Sequence, residues 1–173
     1  NQLPFAPATR SSIRIKQAEK RHLSDPSLAC ALLKMTPQGL VNDLETFGFL
    51  LEALCIRDLR IYAETFGAEL YHYRDYKDNE FDAVIELPDK RWCGVEVKLG
   101  ANQIDSAAEN LLRINKAIED ANGNPASILS KIHEHSFRIV VFVMSKRNFC
   151  SAHFFHRLFK TLSSEIPSGF LCR

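Results

Sequence analysis

Glu96 and Lys98 stand two positions apart in the stretch "GVEVKLG" (94–100), inside an otherwise apolar run. Side chains of a strand alternate between its faces, so these two opposite charges share one face while Val95 and Val97 share the other. Asp82 lies fourteen residues earlier, in the apolar run "EFDAVIEL" (80–87), and "PDK" separates the two runs. An antiparallel hairpin therefore brings Asp82 and Glu96 to one place. Two carboxylates meeting there repel each other and call for a cation. Hard oxygen donors suit Mg²⁺ or Mn²⁺, which also bind phosphate oxygens. Lys98 is positioned to orient a water nucleophile or to stabilise negative charge developing on a phosphate. Glu52, midway along a helical stretch, is the natural fourth member, as a ligand or a base. Glu80 shares the Asp82 face and is a weaker candidate. The expected catalytic set is thus Glu52, Asp82, Glu96 and Lys98, with Asp82, Glu96 and Glu52 as metal ligands.

Register decides whether the hairpin can do this. A two-residue turn at Asp89–Lys90 sets Asp82 opposite Val97, on the wrong face. A three-residue loop, or a one-residue bulge, sets it opposite Glu96. Gly94 suits a bulge. An irregularity is therefore expected between Pro88 and Gly94.

The flanking elements follow from periodicity and punctuation. Residues 1–11 hold two prolines and read as linker, with "SIRI" (12–15) and "RHLS" (21–24) as short strands. Asp25-Pro26 opens a helix, as a cap followed by a first-turn proline, and Pro37 and Gly39 close it. Residues 43–65 form the clearest helix, with Leu44, Phe47, Leu51, Leu54, Cys55, Asp58 and Tyr62 on one stripe. "ELYHYR" (69–74), residues 80–87 and residues 91–99 read as three strands. A second long helix covers 104–121 and stops at "NGNP". "ILSKIHEH" reads as a helical turn or two, "RIVVFVM" (138–144) as a buried strand, and 150–163 as a last helix. Three meander strands, a crossover helix and a further strand imply an α/β fold with a mixed central sheet flanked by helices. The division expected is 1–25 as N-terminal linker and short strands, and 26–173 as the domain proper.

Bulk properties agree with one soluble domain. The 173 residues are 46% hydrophobic and 25% charged, ordinary for a packed core. No apolar run is long enough to span a bilayer, and "NQLPFAPATR" lacks the apolar segment of a signal peptide. The first residue is not Met, so the chain is expected to be a fragment. Five scattered cysteines show no zinc-ligand spacing, which fits a reduced cytosol. His153 and His156 are a weak candidate metal pair without further ligands nearby. Charge is uneven: residues 1–22 carry +4, residues 23–130 carry −8, and residues 131–173 carry +5. The basic ends are a solvated surface or a phosphate-binding one. The tyrosines at 71, 73 and 76 read as rim packing ahead of base stacking.

Asp82…Glu96-Val97-Lys98 resembles the PD-(D/E)xK nuclease motif, and the αβββαβ order resembles the restriction-endonuclease-like core of that superfamily. A second similarity covers most of the chain. "LPFAPATRSSIRIKQAEKRHLSDPSLACALL", "GFLLEALCIRDL", "YRDYKDNEFDAVIE" and "GVEVKLG" together look like a prokaryotic domain of unknown function that follows an AAA-type ATPase module in ATP-binding proteins. The resemblance implies a nuclease-like domain with Glu52, Asp82, Glu96 and Lys98 as its site, Mg²⁺ or Mn²⁺ as cofactor, and DNA hydrolysis as the activity. The alternative is a non-catalytic DNA-binding or protein-interaction domain that regulates the ATPase. No Gly-x₄-Gly-Lys-Ser/Thr loop occurs, so this chain holds no ATP site and the ATPase module is expected upstream. Expected partners are DNA, that module and a second copy of the chain, with no membrane and a cytoplasmic location.

Overall fold

The computed structural model describes residues 1–7, 15–16, 18–100, 103–135 and 138–145. Its order is β1 (Leu3–Pro4), α1 (Pro26–Leu32), α2 (Pro37–Asn42), α3 (Leu44–Glu64), β2 (Glu69–Arg74), β3 (Glu80–Glu86), β4 (Trp92–Lys98), α4 (Ile104–Asp120), β5 (Ile128–His135) and β6 (Arg138–Ser145). The strands form one six-stranded mixed sheet in sequence order. β2, β3 and β4 are an antiparallel meander, β1 lies parallel to β2, and β5 runs parallel to β4 after the α4 crossover. The expected α/β class and helix-flanked mixed sheet are found.

The two long helices cover opposite sheet faces, and α1 and α2 pack on α3. α3 packs on β2, β3 and β4, and buries Leu51, Cys55, Ile56, Leu59 and Ala63 against Ala83, Ile85, Cys93, Val95 and Val97. α4 packs on β4 and β5, burying Leu111, Ile114 and Ile118 against Phe81, Val84, Trp92 and Leu129. Ala107, Leu111, Ile114 and Ile118 keep the i, i+4, i+7, i+11 spacing of one helical stripe. The α3 stripe differs from the expected one. Leu44 faces solvent, because the buried face centres on Leu59 and Ala63.

Local signals explain most helix ends. Asp25 caps α1 by accepting from the Ser27 amide, and Asp43 caps α3 by accepting from the Thr46 amide. Pro37 and Gly39, expected to close a helix, instead belong to a new one. Thr36 accepts from the Gly39 amide as its cap, and Pro37 fills its first position. Past α4, the Gly123 amide donates to Ile118 O at 2.8 Å. A Cβ on Gly123 would stand 2.6 Å from Ile118 Cγ2, so only glycine fits there.

Three expectations are corrected. Residues 128–135 form strand β5, not helical turns. Ile128 and Ile132 are four apart and mimic a helical stripe, but Leu129, Ser130 and Ile132 are all buried. Such a two-sided central strand carries no alternation. The first residues are not merely a linker: Leu3–Pro4 pairs with Tyr71 and His72, and Gln2 and Phe5 are buried. "RHLS" is not a strand; the pairing there is one bridge between Gln2 and Lys20. Ile15 bridges Asp75, and the rest of "SIRI" lies outside the described residues. So do the 150–163 helix, His153 and His156. Among the described residues Cys30, Cys55 and Cys93 are free thiols, and no helix is long and apolar enough to cross a membrane.

Candidate functional site

The β3–β4 hairpin has the expected irregularity in its loop. Leu87 N donates to Arg91 O at 2.8 Å, enclosing the three residues Pro88, Asp89 and Lys90. Lys90 takes φ +66°, the left-handed residue with which three-residue hairpin loops end. The ladder then pairs Glu86 with Trp92 and Ala83 with Val95 and ends there; the expected meeting of Asp82 and Glu96 on one face is not found, because the strand is irregular at Asp82 and the two carboxylates turn to opposite sides. Gly94 is not a bulge. Its bare Cα admits the Leu129 side chain, which would meet a Cβ at 3.3 Å.

A bulge occurs elsewhere, on the other edge of β3. Tyr71 pairs with Val84, but Tyr73 pairs with Phe81. His72 therefore faces both Asp82 and Ala83. The extra residue resets alternation: Phe81 and Val84 face α4, while Ala83 faces α3. Asp82 is carried to the α3 side, within reach of the Glu52 charge. Gln2, fully buried, props the bulge. Its side-chain amide donates to Tyr71 O at 2.7 Å and Asp82 O at 3.0 Å, and its carbonyl meets His22 Nε2 at 3.0 Å.

The Asp82 carboxylate stands where β3 and β4 part. Its Oδ2 accepts from the Val97 amide at 2.8 Å, taking the place of a strand carbonyl. Burial, then the Glu52 charge, push its pKa up to about 7, against the Val97 hydrogen bond and the pull of Lys98 and Lys20. Glu96 is on the α4 side. It is buried, with Lys98 Nζ at 2.8 Å and Asn110 Nδ2 at 3.1 Å from its two oxygens. Arg113 steadies Asn110 at 2.6 Å and also bonds Asn79. Burial draws the Lys98 pKa down, but the Glu96 hydrogen bond and the charges of Asp82, Glu96 and Glu52 outweigh it and hold it above its ordinary value. Lys98 thus favours its charged form beside Glu96.

Glu52 approaches from α3 and is engaged by Lys20 Nζ at 3.3 Å, and the same ammonium pairs with Glu80. Burial lowers the Lys20 pKa, yet Glu80, Glu52 and Asp82 together raise it. The four expected residues therefore occupy one end of the sheet: Glu52 and Asp82 on its α3 side, Glu96 on its α4 side, and Lys98 in contact with Glu96 and attracted by both others. They do not form a ready-made ligand cage. Among the described residues no three His, Cys, Asp or Glu side chains stand close enough to hold a metal ion. Each carboxylate instead has its own partner: Lys20 for Glu52, Val97 N–H for Asp82, Lys98 and Asn110 for Glu96.

Sequence reasoning missed Gln2, Lys20, Asn110 and Arg113. Asn110 and Arg113 are three apart beside the Leu111 and Ile114 stripe, a polar rim that helical spacing reveals. Gln2 and Lys20 carry no such signal, because their roles depend on the β1–β2 contact. The packing expectation holds for two of the three tyrosines: Tyr73 is buried and Tyr71 packs on Phe5, while Tyr76 is exposed. Trp92 is buried in the core, and Asp78 sits at φ +59° in the Asp75–Asn79 turn.

A family model, DUF4143, described as a domain of unknown function, matches residues 47–149. That span runs from early α3 to just past β6 and includes all four expected site residues. No curated protein and no solved structure matches the chain significantly.

Proposed function

Since the chain belongs to the DUF4143 family, a domain of unknown function, its chemistry has to be read from its side chains, and we propose that it hydrolyses phosphodiester bonds of DNA with Mg²⁺ or Mn²⁺. In this reading the sheet is a restriction-endonuclease-like core and the site is of the PD-(D/E)xK type. One observation carries it: a bulge on β3 turns the buried Asp82 carboxylate to the α3 side of the sheet end, where it feels the Glu52 and Lys98 charges. Irregularities that re-aim a polar residue at the end of a ladder gather at functional sites.

Carboxylate oxygens are hard donors that suit a divalent cation, but among the described residues no three stand close enough to hold one, and Asp82 and Glu96 lie on opposite sheet faces. Asp82 is a carboxyl raised to about 7 by burial and a neighbouring carboxylate. A cation beside it removes that penalty. Asp82 and Glu96, with Glu52, would hold the ion. When bound, it supplies Lewis-acid polarisation of a phosphate and a more acidic water.

The chain's own groups do the rest. Lys98 stays protonated, so it serves as a fixed positive charge for the non-bridging phosphate oxygens and not as a base. Asn110 and Arg113 fix the Glu96 carboxylate, so it enters the site in one orientation. Val97 N–H does the same for Asp82. The proposed setting is a domain that follows an AAA-type ATPase module in the cytoplasm, with DNA passing along this end of the sheet.

A second reading has its own support. Glu52 and Glu96 are each already neutralised by a lysine, as in a site kept for structure. The domain would then bind DNA or regulate the ATPase without cutting. Incubating the protein with plasmid and linear DNA, with and without Mg²⁺ or Mn²⁺, separates the two. Metal-dependent cleavage lost in Lys98→Ala and Asp82→Ala supports hydrolysis. Cleavage equal in both variants and the parent refutes this site. Salt-sensitive DNA binding with no cleavage in any protein supports the second reading.

A further inference from the structure

A cavity of about 390 Å³, open to solvent, lies between residues 20–26 and the first half of α3. Phe49, Leu50 and Ala53 give it an apolar wall, and Lys20 and Arg21 bring positive charge to it. Phe49 is 65% exposed and makes no ring contact among the described residues. A lone exposed aromatic is ordinary on a surface, but here a cation accompanies it in one cavity. Arg21 is exposed as well and has no ion pair among the described residues. Glu52, the acid of the lining, has Lys20 at 3.3 Å, so the Arg21 charge is left over. Lys20 has three N–H donors; Glu52 and Glu80 engage two of them. Phe49 and Glu52 are three apart on α3, neighbours on one helix face. The ring therefore stands one helical turn from a member of the four-residue set.

We propose that this cavity seats one unpaired nucleotide of single-stranded DNA, with its base stacked on Phe49 and its phosphate held by Arg21 and the third donor of Lys20. The inference rests on the nucleic-acid part of the reading above, which its cutting and non-cutting forms share, and on no metal ion. Every base has a π-face, so one aromatic platform serves any sequence. The guanidinium fork matches the geometry of a phosphate. The volume lies in the range of small-ligand sites, roughly 300–1,000 Å³. A peptide helix, about 10–12 Å across, would enter with one side chain only and leave Arg21 unused unless that segment were acidic. A base inside a duplex has both faces covered by its neighbours and cannot offer one to Phe49 without leaving the stack. The seat thus selects an unpaired strand or a frayed end, and it holds that strand one helical turn from Glu52.

Fluorescence anisotropy of a labelled oligothymidylate of about twelve residues, measured in EDTA on the whole chain, tests this without any cleavage. The parent should bind it more tightly than a blunt duplex of the same length. Phe49→Leu keeps apolar bulk without a π-face. It should weaken single-strand binding about 5–100-fold, the effect of one lost stack, and leave duplex binding within about twofold. Arg21→Gln should weaken single-strand binding and flatten the slope of log Kd against log salt by about 0.7, the share of one phosphate contact. Phe49→Trp should bind within about threefold of the parent, and its emission should be quenched by the oligonucleotide as the base stacks; Trp92, the one native tryptophan, is buried in the core. Unchanged single-strand binding in Phe49→Leu, or an equal loss for single strand and duplex, overturns the seat and leaves hydrolysis at the sheet end standing. Phe49→Trp emission unmoved by saturating oligonucleotide also overturns it. Absence of single-strand binding by the parent overturns it and turns the cavity over to an acidic peptide with one apolar anchor. Binding that follows these variants, with no cleavage under any metal, supports the seat and removes the hydrolysis reading alone.

Discussion

Asp82→Asn should change how the stability of the protein depends on pH. In the folded chain the Asp82 carboxyl is pushed from its ordinary 3.8 up to about 7, first by burial and then by Glu52. Its folded pKa is raised, so between about pH 4 and pH 7 the folded state binds more protons here than the unfolded state. Stability from this group must then fall as pH rises through that window and level off above it. At 1.36 kcal/mol per pKa unit the ceiling is about 4 kcal/mol, and water at the partly exposed edge of Asp82 reduces it to about 2–4 kcal/mol. Asparagine is close in shape, retains a carbonyl for the Val97 amide and carries no charge. The variant should match the parent near pH 4 and exceed it by about 2–4 kcal/mol at pH 8. Urea unfolding at intervals from pH 4 to pH 8 reads this difference, and groups common to both proteins cancel. Saturating Mg²⁺ at pH 8 should narrow the gap by stabilising only the parent. Parallel stability curves for the two proteins would refute the assignment of Asp82 as a destabilised carboxyl.

Other consequences follow from the same contacts. Asn110→Ala frees the Glu96 carboxylate and should lower metal-dependent cleavage about 10–100-fold, the usual cost of losing an outer partner of a ligand; melting temperatures within a few degrees of the parent check that the fold survives. Gln2→Ala leaves Tyr71 O and Asp82 O without their buried donor and should cost about 1–3 kcal/mol in urea unfolding. Lys90→Gly relieves a left-handed lysine and should change stability by no more than about 1 kcal/mol in the same assay. Deleting Lys90, in contrast, shortens the loop to two residues and should abolish cleavage by slipping β3 out of register with β4.

Much of this arrangement was legible in the chain. The three meander strands and α4 announce themselves through apolar runs bounded by Gly67, "PDK" and "NGNP"; a meeting of Asp82 with Glu96 requires an irregular hairpin, and the loop is irregular, yet the two carboxylates lie on opposite sheet faces. The irregularity in the loop was foreseen as one of two options. The bulge at Asp82–Ala83 was not, because nothing in "EFDAV" departs from an ordinary strand. That bulge depends on β1 and on the Gln2 amide, a contact between residues about eighty positions apart. β5 was misread for a related reason: a strand buried on both faces loses the alternation that identifies strands, and the Ile128–Ile132 spacing imitates a helix. The charge pairing of the site was hidden too. Three carboxylates in a sequence ask for a cation, but only tertiary structure shows that Lys20 and Lys98 already supply two.

The central claim is that a divalent ion draws Asp82, Glu96 and Glu52 together. Crystals soaked in Mn²⁺ and measured at the manganese absorption edge test it most directly. The expected map has an anomalous peak in contact with oxygens of Asp82 and Glu96. A map with no peak there at millimolar Mn²⁺, and with the Lys20–Glu52 and Lys98–Glu96 pairs unchanged, would contradict the claim.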